Sequence, residues 1–135
     1  MPEVLPFVVH FDTADIPLEH WDDPVKGKVS WRTLVSGDCT PSTELTVGVA
    51  DIEPGRPDAH NPHRHTQAEV YTIVSGEGIV HVDGIDHAVA TGATVFIPGG
   101  VWHFARNTGD TTLRLVYVFA ADSFSDIEYE FPENP

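Results

Sequence analysis

The sequence predicts an all-β fold, a sandwich or a barrel, on three observations. Short runs rich in β-branched and aromatic residues recur at regular spacing, Gly-rich turns separate them, and no stretch carries a convincing amphipathic helical period. At 135 residues the chain has the length of one domain and can bury a core without disulfides, which its single cysteine, Cys39, rules out within the chain.

Taken in order, residues 1–30 mix Pro, Asp and short apolar runs without sustained period, and read as an extended arm that covers a barrel or a partner subunit. The barrel domain is expected over 31–135. His10 and His20, in the arm, read as surface or packing residues. Trp31 opens a β-like run, WRTLVSG, followed by a polar turn around Asp38 to Ser42. LTVGVADI alternates until Pro54-Gly55 breaks it. EVYTIV and GIVHV flank Ser75-Gly76-Glu77-Gly78, and Asp83-Gly84 signals a tight two-residue hairpin. TVFIP, VWHFA and TLRLVYVFA follow, set apart by Pro98-Gly99-Gly100 and Asn107-Thr108-Gly109.

Seven Lys and Arg against 21 Asp and Glu give a formal charge of -14. Such a surface repels phosphate backbones and anionic membranes, so neither nucleic acid nor membrane is an expected partner. It reads first as a solubility or salt-adaptation feature. The N-terminal residues lack the basic and apolar regions of a signal peptide, and no segment is apolar enough to span a bilayer; a cytoplasmic protein is expected.

The densest chemistry lies between His63 and Asn107. Residues two apart on a strand share a face, so His63 and His65 point one way, and Glu69 and Tyr71 form a second pair. On VWHFA, His103 shares a face with Val101 and Ala105, while Trp102 and Phe104 point away into packing between sheets or subunits. Three imidazoles and a carboxylate from two short segments suit one divalent transition metal ion, with Fe, Mn, Ni, Co and Zn all compatible. Four protein ligands on a six-coordinate ion leave two positions for water or substrate, which points to catalysis or ligand capture.

At both segments the chain resembles the cupin family. Its first motif, H-x-H-x3-E-x6-G, is matched by His63, His65, Glu69 and Gly76; its second, G-x5-P-x-G-x2-H-x3-N, by Gly92, Pro98, Gly100, His103 and Asn107. The resemblance implies a single-domain jelly-roll barrel, or double-stranded β-helix, and a homodimer, common among small cupins. One departure is that seven residues, not the usual five, separate Gly55 from His63, which brings in His60 as a contender for coordination. His81 and His87 read as structural, and Asn107 and Gly92 as turn residues. Cupins include isomerases, dioxygenases, decarboxylases, lyases and binders, so a metal-dependent dioxygenase and a non-catalytic binder both stay open.

Beyond the motifs the sequence is similar to the short cupin lyases of the DddK type, which cleave dimethylsulfoniopropionate. The likeness runs from about Trp31 to Pro132 and includes Glu69-Val70-Tyr71 and the tail Asp122 to Pro132; the first 30 residues are longer than that group's. It implies a small carboxylate substrate, Tyr71 as base and Tyr129 as a second tyrosine that orients substrate or shares the proton transfer. A sulfonium would favour an aromatic wall, for which Trp31, Phe96 and Tyr117 are candidates. Each has a plainer alternative: Tyr71 hydrogen-bonds a ligand carboxylate, Tyr129 sits at a surface, and the other three are core.

Overall fold

The computed structural model describes residues 3–12, 15–55 and 61–132. Nine strands are defined among them: β1 (Glu19–Asp23), β2 (Gly27–Val35), β3 (Thr46–Ile52), β4 (Glu69–Ser75), β5 (Glu77–Val82), β6 (Ile85–Ala90), β7 (Thr94–Ile97), β8 (His103–Asn107) and β9 (Leu113–Phe119). They form a six-stranded sheet of order β1-β2-β3-β9-β4-β7 and a three-stranded sheet of order β6-β5-β8, with every pairing antiparallel. This is the jelly-roll arrangement expected. His60 lies outside the described residues.

The arm is the main departure. The expected boundary at residue 30 falls inside β2, and β1 pairs with β2 from Glu19↔Trp31 to Asp23↔Gly27. Residues 19–30 are therefore a strand, a turn and the start of a second strand, and only the described residues before them run without regular structure. Two acids and a proline interrupt the apolar alternation, and they serve the turn: Asp23 Oδ1 accepts the backbone N–H groups of Val25 and Lys26 at 2.9 and 2.7 Å.

Turn chemistry holds the remaining strands in register. Asp83 and Gly84 have φ of 50° and 85°, the mirror-image turn that matches strand twist and that a two-residue hairpin favours. Asn107 staples its turn, donating to Ile52 and Thr111 carbonyls at 2.9 and 2.7 Å and accepting from Gly109 N–H at 2.9 Å. The core lies between the sheets, where Ile52, Ile73, Val80, Ile97, Leu113, Leu115 and Phe119 are almost wholly buried. Each such side chain contributes about 1.5–3 kcal/mol on burial.

Two in-facing rows cross the larger sheet and set the floor of the barrel. One runs Trp31, Ala50, Leu115, Ile73; the other runs Gly48, Tyr117, Tyr71, Val95. Glu69 follows on β4, between Ile97 and Phe119. Polar residues at these positions face the interior because alternate residues of a strand share one face.

Candidate metal centre and cavity

His63 and His103 meet across an antiparallel bridge, His63 N–H to His103 O at 3.1 Å and His103 N–H to His63 O at 2.9 Å. The glycine turn before His103 docks on the first segment as well. Gly100, at φ 81°, donates its N–H to the His65 carbonyl at 2.7 Å, and a Cβ on Gly99 would come within 2.2 Å of Thr66 O. The turn's two glycines are therefore required by conformation and by close approach.

These contacts bring His63, His65 and His103 together, with ligand atoms within 4.8 Å of one another and all three residues buried. Each ring is oriented by its other nitrogen. Nδ1–H of His63, His65 and His103 donates to the carbonyls of Asn61, Gln67 and Val101 at 3.1, 3.0 and 3.0 Å. Such bonds select the tautomer that leaves Nε2 as the ligand. Glu69, 3% exposed, sets Oε1 at 3.2 Å from His65 Nε2 and 3.1 Å from His103 Nε2. Three Nε2 atoms converging beside a buried carboxylate fit a divalent cation in donor type and charge, since the cation would replace the protons those hydrogen bonds need.

The cavity beside the imidazoles is walled largely by rings. Trp31, Tyr71 and Tyr117 line it, as do Trp21, Phe124 and Tyr129. Of the expected aromatic wall, Trp31 and Tyr117 are present but Phe96 is not. It is 65% exposed, opposite in β7 to the fully buried Ile97, so it points out of the barrel. Trp21 and Phe124 were not anticipated. Trp21 stands in a run whose acids hid its alternation, and it makes edge contacts with Trp31 at 5.3 Å and Tyr129 at 4.9 Å.

Both candidate tyrosines face the centre. The Tyr71 ring lies 6.1 Å from that of His103, and the Tyr129 ring 5.4 and 5.5 Å from those of His63 and His65. Burial pushes both phenols well above the ordinary value of 10, and the Glu69 carboxylate adds to the effect. Burial does the same to Tyr117, partly offset by the Thr33 hydroxyl. Trp31 Nε1 is buried with no hydrogen-bond partner among the described residues. The other histidines singled out lie elsewhere: His81 pairs with Asp86 at 2.6 Å and stacks on Phe104, while His20 and His87 are exposed. Trp102 and Phe104 do face away from the site, against Arg64 and His81 of the same chain.

A jelly roll whose in-facing histidines come from two motif segments defines a class, and the chain belongs to the cupin family: residues 48–119 match the Cupin_2 domain. Within it, the chain is 39% identical over 131 residues to the dimethylsulfoniopropionate lyase DddW of Ruegeria pomeroyi, across 96% of this chain and 84% of that one. With so much aligned, the segment before Trp31 has a counterpart there. Among solved structures, a predicted oxalate decarboxylase from Thermotoga maritima superposes with TM-score 0.70 at 27% identity, covering 85% of this chain and 99% of that one. The polyketide cyclase RemF of Streptomyces resistomycificus reaches TM-score 0.76 over 97% of this chain and 88% of its own, at 17% identity, a likeness of fold alone. No helix among the described residues is long and apolar enough to cross a membrane.

Proposed function

We propose that this protein is a metal-dependent lyase that cleaves dimethylsulfoniopropionate to dimethyl sulfide and acrylate. The observation that carries the reading is the likeness to DddW along almost the whole chain. His63, His65 and His103, with Glu69, would hold a divalent transition metal ion. When bound, that ion supplies positive charge to neutralise the substrate carboxylate and to favour charge developing next to it.

The chain's own residues account for the rest. Tyr71, on the strand that carries Glu69, takes the proton from the carbon beside the carboxylate. The electron pair of that C–H bond forms the new C=C bond, the C–S bond breaks, and its pair leaves on sulfur as neutral dimethyl sulfide. The proton stays on the Tyr71 oxygen until solvent receives it. Because burial holds this phenol protonated, the base form requires positive charge nearby, which couples the proton step to an occupied centre. Tyr129 orients the substrate across from it. Trp21, Trp31, Phe124 and Tyr117 give an aromatic wall, suited to a sulfonium, which is attracted to ring faces but cannot donate a hydrogen bond.

The test is headspace dimethyl sulfide from purified protein reconstituted separately with Fe(II), Mn(II), Ni(II) and Zn(II), without oxygen, with Tyr71→Phe as control. Metal-dependent release that the variant abolishes is expected. No release from protein shown to hold metal would end the substrate assignment.

A further inference from the structure

The inner residues His63, His65, His103 and Tyr129 have outer chain neighbours in Arg64, Trp102 and Glu130, and Arg64 touches the other two. Arg64, between the ligands His63 and His65, points to the barrel exterior. Its guanidinium lies 4.4 Å from the ring of Trp102, which precedes His103, and its Nε pairs with Glu130, which follows Tyr129. The backbones are joined at the same place, Arg64 N–H to Glu130 O at 3.0 Å and Glu130 N–H to Arg64 O at 2.8 Å. From Ile127 to Phe131 the tail alternates, with Ile127, Tyr129 and Phe131 turned inward and Glu128 and Glu130 outward. The tail is thus a strand-like strap across the histidine segment, with its rings packed on the inner side and the Arg64 stack on the outer.

We propose that Arg64 and Glu130 are positioning residues: clamped with Trp102, they hold the tail in register and so set Tyr129 against the cavity. The cation-π contact and the ion pair act on one guanidinium, so Arg64 couples three segments whose inner residues form the site. Nothing else in the described tail beyond Ile127 is bonded to the barrel by backbone hydrogen bonds except this bridge. The catalytic consequence rests on the proposed lyase reading, whereas the docking of the tail does not.

Two measurements test it. Amide exchange at Arg64 and Glu130 is followed in wild type, Glu130→Gln, Arg64→Met and Arg64→Lys. Loss of the ion pair is expected to speed exchange about threefold, and loss of pair and stack together about tenfold, with Lys restoring most of the protection. Unchanged exchange in Arg64→Met would overturn the clamp. In metal-loaded enzyme, Glu130→Gln is then compared with Tyr129→Phe and the double variant. It is expected to lower kcat/KM for dimethylsulfoniopropionate with bound metal unchanged, and to add nothing once Tyr129 is Phe. A full additional loss in the double variant would overturn the assignment to Tyr129. If wild type itself releases no dimethyl sulfide, the lyase reading fails and the exchange result still decides whether the clamp exists.

Discussion

The phenol of Tyr117 lies directly over the backbone of Gly48, its cross-strand partner: a Cβ built on Gly48 would sit 2.1 Å from the hydroxyl oxygen and 2.2 Å from Cζ. Only glycine leaves room for the ring, and the ring in turn flanks Tyr71 on β4. Gly48→Ala is therefore expected to displace Tyr117 at a cost of about 1–3 kcal/mol in stability. A melting temperature within a degree of wild type would show that Tyr117 has another place to go.

His103→Ala removes one of three converging imidazoles. Bound metal after reconstitution and dialysis, read by elemental analysis, is expected to fall at least tenfold, the scale on which metal affinity responds to changes even around the ligands. Retention of one equivalent would remove His103 from the ligand set.

Tyr71→Phe changes a single oxygen in a fully enclosed position, so it should keep metal and fold while losing turnover by at least a hundredfold. Its ionisation offers a separate check. Since burial raises the folded phenol above 10, the metal-free protein should show no phenolate absorbance from Tyr71 below that pH, taken as the difference between wild type and variant. The sign follows: the folded state keeps this proton longer than the unfolded chain, so its contribution to stability is intact below pH 10 and is lost as pH rises through the folded value. A divalent cation should move the difference signal to lower pH. An unmoved signal would disconnect the phenol from the centre.

Trp21→Ala opens the wall shared with Trp31 and Tyr129. Removal of one ring from an onium site is expected to raise KM about three- to thirtyfold with a smaller change in kcat. An unchanged KM would place the sulfonium elsewhere.

Asn107→Ala leaves the Ile52 carbonyl buried without its partner and frees the turn that Gly109 closes. A loss of about 2–3 kcal/mol is expected, lowering Tm by roughly 8–15 °C, with metal content unchanged.

The sequence by itself determined the strands from Trp31 onward, their turns and the cluster of histidines. Those features are local: period-two alternation, the glycine and Asn positions that tight turns require, and imidazoles two apart on one segment. His63, His65 and His103 were legible because the motif spacing names them before any contact is known. Which aromatic rings face the cavity was decided only by tertiary structure. Phe96 stands between Val95 and Ile97, so both faces of β7 are apolar and alternation cannot say which is inner; pairing with β4 decides it. Trp21 reads as part of an arm until β1 joins the edge of the sheet and carries it to the site. The clamp of Trp102, Arg64 and Glu130 joins residues distant in sequence. Such a contact leaves no mark on either segment alone, because it exists only once the barrel has closed.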